Sequence, residues 1–132
     1  MRFLWALPNT VVGLPLLFVG VFTGGSARVV DGVLEVWGGA LTFLLGRCVP
    51  VPDGALAMTL GHVVLGQSEH AMEHTRAHER VHVRQCERWG PFFIPAYFLA
   101  GLIAILRGGH GYRDNWFEQE AFTSPQAAPP TR

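Results

Sequence analysis

The chain has 132 residues, 49% hydrophobic and 15% charged, with ten acidic residues against ten arginines and no lysine. That size fits one domain with a modest core, and the zero formal charge excludes the basic footprint on which nucleic-acid binding rests. Two cysteines, Cys48 and Cys86, are too few for a disulfide scaffold and form no CxxC pair.

Charge is segregated along the chain: residues 3–27 and 89–106 carry none, whereas eight of the twenty charges fall within residues 69–88. Residues 3–22 are apolar over 20 positions, about 30 Å as a helix, the hydrocarbon thickness of a bilayer. Pro8, Asn9, Thr10 and Pro15 interrupt the run. A membrane-anchoring helix over residues 1–27 is expected. A cleavable signal peptide competes with it, with Arg2 before the apolar run and Gly25-Ser26-Ala27 as a small-residue cleavage site. Pro8-Asn9-Thr10 sits badly in the leading part of a signal sequence, which favours the anchor.

Residues 28–36 read as two short strands around Asp31-Gly32, the strongest short hairpin signal. Gly38-Gly39 weakens any long helix after them. Pro50, Pro52 and Gly54 mark a loop, and the β-branched run 56–65 (LAMTLGHVVL) reads as one further strand. A small antiparallel sheet follows from these strands. Ser68 is the N-cap of a helix over Glu69–Trp89, stopped by Gly90-Pro91. An apolar helix over 91–106 and a short one over 115–123 complete an α+β domain spanning 28–123. Residues 124–132 (SPQAAPPTR) have the composition of a disordered tail.

His78-Glu79-Arg80-Val81-His82 is an HExxH motif placed in the middle of the best-supported helix. Spacing of i,i+4 puts both imidazoles on one face, where they reach a single ion, and the glutamate beside the first histidine stands ready for the water that the ion activates. Zn²⁺ brings the pKa of that water toward neutrality, so Glu79 is the candidate general base. A catalytic zinc needs a third protein ligand and an open fourth position.

Glu118 offers that ligand, in an E-x-x-A pattern within residues 115–122 (NWFEQEAF). With it the chain resembles the gluzincin metallopeptidases, particularly the membrane-embedded CaaX-prenyl-protease type, whose HExxH helix precedes a glutamate ligand in E-x-x-A-D. Residues 59–122 also look like short bacterial membrane proteins of unassigned function. The resemblance implies a minimal zincin-like fold, His78, His82 and Glu118 as zinc ligands, Glu79 as catalytic base, and the run 56–65 as the edge strand that takes an extended peptide substrate. Phe122 stands where the family has aspartate, a group that orients a ligating histidine and whose loss costs about 10 to 100-fold in affinity or activity. Asp114 is a candidate substitute. Glu120 is the alternative third ligand, but on a helix it points about 200° from Glu118. Tyr112, Arg113 and His110 lie where a transition-state stabiliser would be useful.

All ligands must meet one ion at about 2 Å, so His82 and Glu118 lie on one side of any membrane. Residues 91–106, about 24 Å as a helix, therefore form a core helix, an interfacial helix or a re-entrant hairpin turning near Gly101. His70 and His74 continue the histidine spacing and are expected at the surface, with a secondary metal site as the rarer reading. His62 is expected to be structural. Arg76, Arg80, Arg84 and Arg88 form the opposite stripe, expected to be a solvated face paired with Glu73 and Glu87, or otherwise a seat on anionic lipid headgroups. The function expected is zinc-dependent hydrolysis of a peptide or protein substrate at a bacterial inner membrane. Alternatives of another class are a non-catalytic zinc-stabilised membrane module and an integral membrane subunit, each binding a protein partner.

Overall fold

Asp31 and Gly32 adopt positive φ values of 51° and 79°, the left-handed pair of a two-residue hairpin turn that matches the twist of its strands. They join β1 (Ser26–Val30) to β2 (Val33–Trp37) in antiparallel register. The structure is a computed structural model and describes residues 2–48 and 55–123. The loop expected at Pro50, Pro52 and Gly54 and the tail 124–132 lie outside the described residues.

The run 56–65 is two strands rather than one. Gly61, at φ 65°, and His62 turn the chain between β3 (Ala57–Leu60) and β4 (Val63–Gly66). β4 pairs in parallel with β2, so the four-stranded sheet has the order β1-β2-β4-β3 and is mixed, not wholly antiparallel. β4 is buried throughout, and a strand covered on both faces loses the apolar–polar alternation that would mark its ends.

Those two covers are α1 (Arg2–Phe22) and α3 (Glu69–Trp89). Val36, Val63 and Leu65 point to one side, where Leu14, Leu16 and Leu17 of α1 pack on them. Val33 and Val64 point to the other, against Met72 and Val83 of α3. The helix α1 runs unbroken through Pro8 and Pro15. Its polar residues are placed for long-range bonds: the Asn9 side chain donates to Gly90 O at 2.7 Å, and Thr10 Oγ1 accepts from His62 N at 3.0 Å. These bonds make α1 part of the folded body, and Ala27 lies within β1, paired with Val36 of β2. After β2 come only a short helix α2 (Ala40–Phe43) and a π-helical turn (Leu44–Cys48), as Gly38-Gly39 suggests.

Ser68 caps α3, accepting from Ala71 N at 3.1 Å, and Gly90 at φ 59° ends it. The inner half of the arginine stripe is partly buried and paired with a buried carboxylate. Arg76 donates twice to Glu35 of β2, both bonds at 2.9 Å, Arg80 once at 2.9 Å, and Arg28 once at 3.2 Å. Glu35 is 1% exposed, and a buried carboxylate requires such partners. This corrects the expectation of a solvated face; only Arg84 and Arg88 are exposed.

A 3₁₀ turn at Gly90–Phe92 leads into α4 (Phe93–Leu106), continuous through Gly101. The chain then reverses into α5 (Trp116–Thr123), the last element of the described residues. Leu4, Val12, Phe18 and Phe22 of α1 and Phe98, Leu102, Ile105 and Leu106 of α4 are exposed. Trp5 and Phe92, ring centroids 6.3 Å apart, join the two apolar faces. By length and composition alone, two helical stretches, Leu4–Phe22 and Glu69–Leu106, each contain an 18-residue window apolar enough to cross a membrane, with window mean hydropathies of 1.7 and 1.8.

Candidate metal centre

The i,i+4 spacing on α3 sets His78 and His82 one above the other, with their Nε2 atoms 3.2 Å apart. The third member arrives from 36 residues further on by way of the reversal after α4. Gly108, at φ 81°, opens that reversal. Residues 107–115 then run back along α4 so closely that a Cβ at Gly101 would lie 3.0 Å from Gly111 O. Asn115, fully buried, donates to Tyr97 O at 3.0 Å and accepts from Phe117 N at 3.0 Å, tying the start of α5 to α4. The chain thus goes out along α4 and returns on the same side.

Glu118 of α5 then faces α3. Its Oε2 lies 3.0 Å from His78 Nε2 and its Oε1 3.1 Å from His82 Nε2, and Tyr97 Oη donates to Oε1 at 2.6 Å. One ligand atom from each of His78, His82 and Glu118 lies within 4.8 Å of the others, a group that can hold a metal ion. Glu118 and His82 are buried and His78 is half-buried.

A residue absent from the sequence reading orients this group. Gln85 Nε2 donates to Phe117 O at 3.0 Å, and a carbonyl can only accept. The amide oxygen of Gln85 therefore faces His82 Nδ1, at 2.8 Å, and Nδ1 carries the hydrogen. In neutral His82 the lone pair is consequently on Nε2, aimed at Glu118 and His78. Gln85, 1% exposed, thus links the orientation of a histidine on α3 to the backbone of α5.

Electrostatics follow from the same contacts in the metal-free chain. Burial raises the Glu118 carboxyl pKa, but hydrogen bonds from His78 and His82 outweigh it and bring the value down to about 2. Burial lowers the His82 pKa, but the Glu118 carboxylate and the charge of Glu79 outweigh it and raise the value to about 9. A cation is therefore favoured at this spot.

Glu79 is 6% exposed, and its Oε2 accepts from Thr59 Oγ1 of β3 at 2.6 Å. Thr59 also donates to the Glu79 carbonyl at 3.3 Å. Edge strand β3 thereby fixes the carboxylate beside the histidine pair.

The remaining sequence candidates separate. Glu120 turns away, 3.7 Å from Arg88. Asp114 does not reach the histidines: its carboxylate accepts from His110 N at 2.5 Å and closes the reversal. The His110 ring is used in the same turn, Nδ1 accepting from the backbone N–H of Tyr112 and of Arg113, each at 3.1 Å. The side chain of Arg113 is exposed, whereas Tyr112 is half-buried and borders Glu118, whose charge together with burial raises the tyrosine pKa. Phe122, in the position of the expected aspartate, lays its ring on His78 with centroids 4.6 Å apart. His62 pairs with Glu87 at 2.9 Å, outside the cluster. His70 and His74 are exposed.

No protein-family model, curated protein or solved structure matches this chain. Thr59, Gln85 and Tyr97 are not among the site residues expected from the sequence, where Tyr97 reads as a core or bilayer-interface aromatic. Only Gln85 had a signal there, standing three residues after His82 and so on the same helical face.

Proposed function

We propose that this protein is a membrane-associated zinc metallopeptidase of gluzincin type. The observation that carries the reading is the convergence of His78, His82 and Glu118 from two helices, with Glu79 buried beside them. The two Nε2 atoms, 3.2 Å apart, stand close to the edge of a zinc tetrahedron, about 3.3 Å for ligands at about 2.05 Å, and the Glu118 carboxylate presents one oxygen 3.0 Å from His78 and the other 3.1 Å from His82. The donor set, two imidazoles and a carboxylate, suits that ion.

Zinc held there supplies a Lewis acid that polarises a scissile carbonyl and acidifies water. The rest is done by the chain. Glu79 takes the proton of the attacking water on its carboxylate and returns it to the leaving amine. Thr59 keeps that carboxylate in place, Gln85 keeps His82 turned inward, and Tyr97 holds Glu118. Edge strand β3 offers its free side to an extended peptide or protein substrate. The joined apolar faces of α1 and α4 seat the body on lipid, in keeping with an inner-membrane location. The 14 residues of α4 span about 21 Å, short of the bilayer core, so α4 lies against the membrane rather than through it.

One observation favours the non-catalytic alternative: the Glu79 carboxylate is buried and already bonded. Glu79→Gln separates the two. Purified protein is incubated with a peptide library and cleavage read by mass spectrometry, with zinc measured in parallel. A peptidase loses cleavage by about 10²-fold or more and keeps its metal; a module that only binds a partner shows no cleavage in either form.

A further inference from the structure

Four histidines recur at every fourth residue of α3: His70, His74, His78 and His82. Successive members are separated by about 6 Å of helix rise and share one stripe. Their burial is graded. His70 and His74 are exposed, the His78 side chain is 16% exposed, and that of His82 is 7% exposed. The two outer rings stack with centroids 6.2 Å apart, compared with 5.0 Å for the inner pair. Among the described residues neither outer ring has a hydrogen-bond partner.

Local charge suits a cation. Glu69 and Glu73, 59% and 54% exposed, occupy the same two turns and offset the positive end of the helix dipole. Arg28 approaches them at 3.6 and 3.9 Å but is bonded to Glu35. An exposed i,i+4 histidine pair offers two imidazole nitrogens to one ion at the spacing of the HExxH pair, leaving its other positions to water.

We propose that His70 and His74 are a surface capture site for a divalent transition-metal ion, and that the stripe passes the ion inward through His74 and His78 to the buried cluster. This rests on the metal-centre reading above. Each transfer exchanges one imidazole for the next, with no change in the charge of the ion. An ion on His74 is one turn from His78, an effective concentration of about millimolar or more at the inner site.

The test uses full-length protein in detergent, stripped of metal and mixed with cobalt(II), whose absorption reports filling of the buried cluster; equilibrium dialysis gives stoichiometry. Wild type is compared with H70A/H74A and H78A/H82A; alanine at the exposed His70 and His74 preserves the helix. Wild type should bind about one tight and about one weaker ion per chain. H70A/H74A should keep the tight ion, lose the weaker one, and fill about 10-fold more slowly at micromolar cobalt. An unchanged filling rate in H70A/H74A overturns the proposal. A weaker ion present in wild type and in H78A/H82A, with no tight ion in either, overturns the buried centre and the inward transfer while supporting the surface site.

Discussion

Gln85→Leu removes the side chain that connects a proposed ligand, His82, to the backbone of the opposing helix. Leucine keeps most of the volume at this 1% exposed position but can neither accept from His82 Nδ1 nor donate to Phe117 O. Two buried polar groups lose partners at 2.8 and 3.0 Å, each costing about 1–3 kcal/mol, so the metal-free chain should lose about 2–6 kcal/mol of stability. The freed imidazole no longer has its tautomer and ring plane fixed, which should weaken zinc about 10 to 100-fold, or about 1.4–2.7 kcal/mol. Chelator competition gives the affinity and urea unfolding the stability. Gln85→Glu, which retains the acceptor for His82, should recover most of the affinity but not the bond to Phe117. Zinc affinity in Gln85→Leu within about twofold of wild type, in a folded protein, would refute the argument.

Two further expectations concern the frame around the site. At Glu35 burial raises the carboxyl pKa, but the hydrogen bonds of Arg76 and Arg28 outweigh it and lower the value. The stabilisation from this lowered pKa is complete above about pH 4.5 and is lost as the pH falls through the folded value. Urea midpoints measured from pH 6 to 2.5 should fall along that limb in wild type and less steeply in Glu35→Gln, while Glu35→Ala should cost about 3–5 kcal/mol at neutral pH by stranding its arginines. On the outer face of α1, Val12 and Phe18 are each 53% exposed. V12R/F18R should shift the protein from membranes to the soluble fraction, since each arginine costs about 3 kcal/mol in the bilayer core, with zinc content unchanged.

Features set by neighbours in sequence were the legible ones. Ser68 and Gly90 bound α3 at the residues expected, the i,i+4 histidines share one of its faces, and Asp31-Gly32 made the first hairpin. Gly61-His62 was hidden because β4 is apolar on both faces, leaving no change of pattern at the turn. Arg76 and Arg80 read as solvated because their partner, Glu35, is distant in sequence and local spacing carries no trace of it. Similarly, Asn9 and Thr10 looked like interruptions of an apolar helix until the structure placed Gly90 and His62 against them. In the site, Glu118 was legible from its E-x-x-A setting and Glu120 was separable by helical angle. Thr59 was not, because a threonine in a strand is ordinary until the opposing helix is placed.

Metal content of detergent-purified protein, measured per chain for wild type, His78→Ala and Glu118→Ala, is the most direct test. About one zinc per wild-type chain, lost in both variants, is the expected result. A wild-type chain that holds no zinc after reconstitution, or variants that retain it, would contradict the assignment of His78, His82 and Glu118 as its ligands.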